Sequence, residues 1–176
     1  MRVNGRGPEP SHFLQLLPGK AEWIAQPVLV MQRPQKNTHA GNRPPSPTGR
    51  GEVILVVDDE PNIIDASRRA LKKQGYEIIV AADGLEAMAL FTKQRERIKL
   101  ILTDIMMPHM DGIEMIRQIR RLDPHVKVIA ASGLISASDS HRRLNELAAL
   151  GVKIFLDKPF PIERLLEAIR LTLDTP

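Results

Sequence analysis

Short apolar runs alternate with longer segments of helical periodicity from residue 52 to the C-terminus. Uninterrupted apolar runs of this length are typical of strands that are buried on both faces of a parallel sheet. Five runs have this form: Val53–Val57, Ile78–Ala81, Leu100–Thr103, Val128–Ala131 and Ile154–Leu156. Because a helical pattern follows each run, the sequence predicts repeated βαβ units, and hence a doubly wound α/β fold with five strands and five helices.

Proline, glycine and apolar spacing indicate where the helices begin and end. The first should begin near Pro61, which suits a first turn, and stop at Gly75, which suits a left-handed cap. The second is expected from Gly84 to Gln94, the third after Gly112, and the fourth within Asp139–Leu150. The fifth carries an apolar stripe made of Ile162, Leu165, Leu166, Ile169 and Leu173.

Four of the apolar runs lead to residues that can hold a divalent cation or a phosphoryl group. The first leads to Asp58 and Asp59, the third to Asp104, the fourth to Ser132 and the fifth to Lys158. In open α/β sheets, ligands bind outside the carboxyl ends of the strands. Three acids, a hydroxyl and an amine at one edge of the sheet therefore predict a binding site there.

Four sequence motifs carry a resemblance to a known family. They are VVDDEPN at residues 56–62, LTDIMMPHMDG at 102–112, AASG at 130–133 and KPF at 158–160. In this order and spacing they resemble the receiver domain of two-component response regulators, over about residues 52–174. The resemblance implies a flavodoxin-like fold with strand order 2-1-3-4-5, an order for which a receiver protein is itself a known example.

The resemblance implies a phosphorylation site at the junction of the first and third strands. Asp104 would accept the phosphoryl group as an aspartyl phosphate. Three carboxylates this close repel one another unless a cation lies among them, and Mg²⁺ suits oxygen ligands. By resemblance, Asp59 and Asp104 would ligate Mg²⁺ directly, the Met106 carbonyl would add a third oxygen, and Asp58 would act through a bound water.

The same resemblance assigns roles to residues on the fourth and fifth strands. Lys158 and Ser132 would each neutralise a phosphoryl oxygen, and the Lys158–Pro159 peptide bond would be cis. Ser132 and Phe155 would form a switch pair, in which the hydroxyl moves toward the phosphoryl group and the aromatic ring turns into the space it leaves. The alternative for Phe155 is a core aromatic residue without a switching role.

Three features depart from the family pattern. Residues Leu134–Ser140 form an enlarged loop after the fourth strand. Pro161 stands where a Thr or Ser cap is usual, and a lost cap costs about 0.5–2 kcal/mol. His109 lies in the loop beside the site, where we expect it to be solvated and to have no catalytic role.

The first fifty residues differ in composition from the rest, and we predict a disordered tail over 1–50 and a receiver domain over 51–176. The tail holds eight of the fourteen prolines and a charge balance of +5, whereas the remainder balances at −1. Within the tail, residues 11–18 resemble the closing strand of a histidine-kinase ATP-binding domain. The chain could therefore be a receiver detached from a hybrid histidine kinase, and a misplaced start codon would give the same picture.

Composition also limits the functional classes. The near-neutral domain gives no electrostatic case for direct DNA binding, and the absence of cysteine excludes thiol chemistry. Without an apolar stretch of membrane-spanning length or a signal core, we expect a soluble cytoplasmic protein.

The sequence therefore predicts a single-domain receiver that acts as a signalling switch and not as an enzyme. Its partners would be a histidine kinase or a histidine phosphotransfer domain, together with an unidentified downstream protein, since no output domain follows Pro176. Two alternatives from other classes are a magnesium-dependent phosphohydrolase of the haloacid-dehalogenase type and a dinucleotide-binding protein. The first requires an Asp-x-Asp motif, which residues 57–60 lack, and the second a glycine-rich loop in place of Asp58-Asp59-Glu60.

Overall fold

A computed structural model describes residues 28–31, 48–133 and 137–175 of the chain. A parallel sheet lies at its centre, with helices on both faces. The strands are β1 (Leu29–Met31), β2 (Val53–Val57), β3 (Glu77–Ala81), β4 (Ile98–Asp104), β5 (Lys127–Ser132) and β6 (Ile154–Asp157). The helices are α1 (Pro61–Lys73), α2 (Gly84–Gln94), α3 (Gly112–Leu122), α4 (Ala137–Ala149) and α5 (Ile162–Asp174).

The strand order is β1-β6-β5-β4-β2-β3, and every neighbouring pair is parallel. The last five strands in this series reproduce the predicted order 2-1-3-4-5, which is therefore confirmed. Winding reverses between β2 and β4, where Val57 pairs with Thr103. This reversal opens a crevice at the carboxyl ends of these two strands, where the predicted acids stand.

Two apolar layers enclose the sheet. One layer packs α2, α3 and α4 against one face through residues such as Phe91, Ile116 and Leu147. The other packs α1 and α5 against the opposite face, with Leu71 and Leu166 among its buried side chains. Both faces of the sheet are covered, and β2 is buried along its whole length. This burial on both faces accounts for the uninterrupted apolar runs of the central strands.

The helix limits agree closely with those expected from capping residues. Gly75 follows α1 with a φ of 87°, in the left-handed region that glycine adopts without steric cost. The side chains of Asp83 and Asp111 cap α2 and α3 by accepting hydrogen bonds from backbone N–H groups in the first turn. Pro161 precedes α5 and provides no side-chain cap, as predicted.

The predicted start of α4 was two residues late. The helix begins at Ala137 and not at Asp139, so the enlarged loop expected over Leu134–Ser140 is shorter at its end. Its polar residues Ser138 and Asp139 favoured a loop in the sequence, yet both suit the first turn of a helix. The stretch 134–136 lies outside the described residues.

Within the described residues the sheet has six strands, so the predicted number of five requires correction. The additional strand is β1, which belongs to the segment predicted to be a disordered tail and pairs in parallel with β6. An apolar Leu-Val-Met triplet can satisfy the backbone groups that β6 would otherwise expose at the sheet edge. The remaining tail up to residue 47, including residues 11–18, lies outside the described residues, and its disorder stays a prediction. None of the helices within the described ranges is long and apolar enough to cross a membrane.

Candidate phosphorylation and metal site

Three aspartates meet where β2 and β4 end. Asp104 is the last residue of β4, and Asp58 and Asp59 directly follow β2, its neighbour in the sheet. One carboxylate oxygen from each lies within 4.8 Å of the other two. Asp58 and Asp104 are buried, whereas Asp59 is exposed. The predicted acidic cluster is therefore present, with one carboxylate open to solvent.

Lys158 reaches this cluster from the end of β6. Its Nζ atom lies 2.6 Å from Asp58 Oδ2 and 2.6 Å from Asp104 Oδ2. The Lys158 backbone N–H donates to the Ser132 carbonyl at 2.8 Å, and the Lys158–Pro159 peptide bond is cis, as predicted. Backbone pairing between the ends of β5 and β6 thus places the ammonium group between two carboxylates, so Lys158 is not a surface lysine.

Burial and ion pairing set the electrostatics of the site. Burial raises the pKa of Asp58, and the hydrogen bond from Lys158 offsets only part of this effect. For Lys158, burial alone would lower the pKa, but the carboxylates of Asp104 and Asp58 outweigh it and raise the pKa above 10.5. The lysine therefore stays protonated at neutral pH and can neutralise negative charge here.

The donor set fits a hard divalent cation. Three carboxylates and one ammonium group leave a formal charge of −2, which one divalent cation balances. All three side chains offer oxygen atoms, the ligands that Mg²⁺ prefers, and the exposed Asp59 leaves room for waters on the ion. The residues that would hold Mg²⁺ are Asp58, Asp59 and Asp104.

The backbone after β4 orients Asp104. The Met106 N–H donates to Asp104 Oδ1 at 2.9 Å, and the Ile105 N–H donates to the Ala131 carbonyl at 3.0 Å. The Met106 side chain is exposed. The sequence pointed to the Met106 carbonyl but missed its N–H, because a loop's hydrogen bonds depend on backbone angles that residue types do not define.

Helix α3 begins at Gly112, where it comes very close to the end of β4. A Cβ atom added at this position would lie 2.1 Å from the Asp104 carbonyl oxygen and 2.8 Å from the Ile105 Cα atom. The Gly112 N–H donates to the Ile105 carbonyl at 3.2 Å. Only glycine lets the start of α3 approach the end of β4 so closely.

Ser132 ends β5 beside the cluster, and its side chain is fully buried. Its Oγ atom has no hydrogen-bond partner among the described residues. A buried hydroxyl without a partner is costly, so the group is poised to donate to a ligand oxygen. Phe155 lies on the neighbouring strand, buried in the apolar layer of α2, α3 and α4.

His109 follows the expectation of a solvated loop residue. Its side chain is exposed, and its φ of 63° places it in the left-handed region.

A cleft of about 850 Å³ opens above the site. Asp59, Asp104, Ser132 and Lys158 line its polar end. Its apolar walls come from α1, from α5 and from the segment leading into α5, with Ile63, Ala66, Ala70, Phe160, Ile162 and Leu165. The cleft therefore leads from the protein surface to the Asp104 carboxylate.

Comparison with known proteins identifies the family. The family model for the response regulator receiver domain matches residues 54–170. Sporulation initiation phosphotransferase F of Bacillus subtilis (strain 168) is 34% identical over 119 residues, which cover 68% of this chain and 91% of that protein. Response regulator MprA of Mycobacterium sp. (strain KMS) is 36% identical over 120 residues, covering 68% of this chain and 50% of that protein.

Solved structures agree with this match. A CheY-like response regulator receiver domain protein from Methanospirillum hungatei JF-1 is 32% identical and superposes with a TM-score of 0.63, covering 70% of this chain and 94% of that chain. This match excludes the phosphohydrolase and dinucleotide-binding alternatives as the class of the domain. The chain belongs to the response regulator receiver domain family of two-component signalling.

Proposed function

We propose that this chain accepts a phosphoryl group on Asp104 from a phosphohistidine and thereby acts as a switch and not as a metabolic enzyme. The observation that carries the proposal is the position of Lys158, whose ammonium group joins the buried carboxylates of Asp58 and Asp104. A lysine and three carboxylates at the carboxyl edge of a doubly wound sheet suit phosphoryl transfer, in which catalysis rests on positioning and charge neutralisation.

Asp104 is oriented for nucleophilic attack. Its Oδ1 atom is held by the Met106 N–H, whereas Oδ2 is bonded to Lys158, a side chain that can move. Oδ2 forms the bond to phosphorus while the phosphorus–nitrogen bond of the phosphohistidine breaks, and the nitrogen keeps the electron pair. Water later cleaves the aspartyl phosphate and restores the carboxylate, which resets the switch.

Lys158 and Ser132 then bind the phosphoryl oxygens. The ammonium group passes from Asp104 Oδ2 to a phosphoryl oxygen, which needs little movement because it already contacts the attacking carboxylate. The Ser132 hydroxyl, which lacks a partner among the described residues, donates to a second oxygen. Asp58, Asp59, Asp104 and the Met106 carbonyl would hold Mg²⁺, which when bound would supply further positive charge to the phosphoryl group.

The phosphorylated state differs from the free state at Ser132 and Phe155. Once Ser132 turns toward the phosphoryl group, the space beside it admits the Phe155 ring. Because Phe155 is buried on the neighbouring strand, its movement carries the change from the site toward the sheet edge.

The proposed donors are a histidine kinase or a histidine phosphotransfer domain. The cleft between α1 and the segment preceding α5 supports this proposal, because an imidazole carried by a protein can reach Asp104 only through an open approach. Phosphorylation then changes docking to a downstream protein or permits transfer to the next relay component. Descent from a hybrid kinase remains a prediction on residues outside the described ranges.

The proposal is tested with acetyl phosphate, Mg²⁺ and intact-mass measurement. We expect one phosphoryl group per chain, and no labelling either in Asp104→Asn or when a chelator is present. Asp83→Asn is the matched control: Asp83 also follows a strand, but its side chain caps α2, which asparagine does equally well. Labelling that persists in Asp104→Asn would place the acceptor elsewhere and overturn the assignment.

A further inference from the structure

Strand β1 comes from the segment before the receiver fold and adds to the sheet beside β6. Leu29, Val30 and Met31 pair in register with Ile154, Phe155 and Leu156. The Leu29 N–H donates to the Lys153 carbonyl at 2.7 Å. Without this strand, β6 would be an edge strand with a row of unpaired backbone groups next to apolar side chains, which is a template for pairing with another chain.

Side chains of β1 extend both apolar layers of the domain. Val28 and Val30 pack against the layer that contains Phe155, whereas Met31 packs against the layer of α1 and α5. Leu29 is 45% exposed and contributes mainly through its backbone. Val30 and Phe155 point to the same face of the sheet, since residues in register on neighbouring strands share a face.

Phe155 therefore takes part both in the packing of β1 and in the switch proposed above. In the described structure it is buried beside its pairing partner Val30 and belongs to the apolar layer against which Val28 and Val30 pack. In the switch proposed above, the same ring turns toward the space beside Ser132. A movement of Phe155 away from Val30 removes apolar contact from a strand of three residues, which has few other contacts to hold it.

We infer that residues 28–31 are an intramolecular edge strand that covers β6 and is released when Asp104 is phosphorylated. The trigger, phosphorylation of Asp104, rests on the proposed function. Release of residues 28–31 extends that function to a segment outside the receiver fold. So short a strand would not bind as a separate peptide. Residues 32–47 join it covalently to the domain, however, which raises its effective concentration and makes a weak contact sufficient for occupancy. Release uncovers the edge of β6.

The strand itself is tested in the full chain by hydrogen–deuterium exchange of the peptides covering residues 28–31 and 152–157. Leu29→Pro removes the N–H that bonds to Lys153 and should make exchange in both peptides severalfold faster. Leu29→Ala keeps that N–H at a half-exposed position and should leave exchange unchanged. Equal exchange in wild type and Leu29→Pro would show that β1 does not protect β6, and the inference would be wrong.

The coupling to phosphorylation is tested by the same exchange measurement with acetyl phosphate and Mg²⁺, while intact mass reports the phosphorylated fraction. A phosphorylated wild-type chain with severalfold faster exchange in both peptides supports release. A phosphorylated chain with unchanged or slower exchange overturns the inference and leaves the proposed function intact. A chain that takes no phosphoryl group overturns both. In Leu29→Pro, where the strand is already detached, phosphorylation should add no further increase.

Discussion

At the residue scale, the site depends on a lysine held in a place that is unfavourable for an isolated charge. Burial disfavours the ammonium form of Lys158, and two carboxylates at 2.6 Å restore it. The same contacts limit the repulsion between Asp58 and Asp104. Lys158 therefore stabilises the empty site and is already placed where phosphoryl oxygens would arrive.

Replacing this lysine separates folding from function. We expect Lys158→Ala to keep the fold, because the charge is needed at the site and not in the core, and to lose much of the phosphorylation rate with acetyl phosphate. Lys153→Ala is the control: it removes an exposed lysine from the start of the same strand region, and only its backbone contacts β1. Circular dichroism checks the fold and intact mass follows the rate. Equal rates for the two variants would exclude a role for the Lys158 charge.

The site residues differ in how far sequence could identify them. Asp58, Asp104 and Lys158 were predictable because buried apolar runs in parallel strands place their ends at one edge of a sheet. The Met106 N–H contact was not predictable, since any residue but proline carries this donor. Gly112 was visible as a glycine, but the 2.1 Å approach that requires it arises from packing of α3 against the end of β4.

The close approach at Gly112 predicts a destabilised domain when a methyl group is added. Gly112→Ala forces α3 away from the Asp104 carbonyl, and overpacking of this kind costs about 1–3 kcal/mol. Gly133→Ala is the control for stability, because an added Cβ there meets no atom of the described residues within 4 Å. Urea unfolding should show a clear loss for the first variant and little change for the second. Unchanged stability in Gly112→Ala would contradict the packing described here.

At the element scale, an ion-pair network joins the start of β2 to α5. The largely buried Arg170 donates to Glu52 Oε1 at 2.5 Å and to Asp174 Oδ1 at 2.6 Å. Burial alone would raise the pKa of Glu52, but the hydrogen bonds from Arg170 and from the Arg50 backbone N–H outweigh it and lower the pKa below 4.5. The pair Arg170–Glu52 thus links residues that are 118 positions apart in the chain. It lies at the end of the sheet opposite to the acidic site, where β2 begins.

This lowered pKa predicts the direction of a pH effect. A carboxyl group whose pKa is lower in the folded state stabilises the fold above its unfolded pKa, and this contribution disappears as pH falls through the folded value. The free energy of unfolding of wild type should exceed that of Glu52→Gln at neutral pH, and the difference should shrink as the pH falls below 4.5 and through the folded pKa of Glu52. In an Arg170→Met background, Glu52→Gln should lose most of this pH dependence. A difference that grows toward acid would contradict the assignment.

Elements were predictable where local signals agreed with the tertiary structure. Pro61 and Gly75 marked the limits of α1 correctly, since their backbone preferences are local. The start of α4 was misplaced because serine and aspartate suit both a loop and a first helical turn. Strand β1 was missed because three apolar residues among prolines give no periodicity, and its pairing with β6 is a contact across more than a hundred residues.

At the scale of the whole molecule, the candidate site and the pairing with β1 occupy different sides of the sheet. The carboxyl edges of β2, β4, β5 and β6 assemble the site, and the outer edge of β6 is covered by a segment that precedes the receiver fold. Composition divides the chain at about residue 50, but pairing of residues 28–31 crosses this division. Whether the folded unit includes residues 28–31 can therefore be measured by comparing the stability of shortened chains with that of the full chain.

Two shortened chains measure how much β1 adds to the domain. From composition alone, a chain that begins at residue 50 should melt at the same temperature as the full chain. The structure instead predicts a loss of about 1 kcal/mol, or a few degrees in Tm, because Val28, Val30 and Met31 are half-buried but must be ordered to pack. A chain that begins at residue 26 keeps these side chains and should match the full chain. Both should accept phosphate from acetyl phosphate, since every site residue lies beyond residue 57. Equal melting of all three chains would show that β1 adds nothing to stability, whereas a loss shared by both shortened chains would assign the effect to residues before 26.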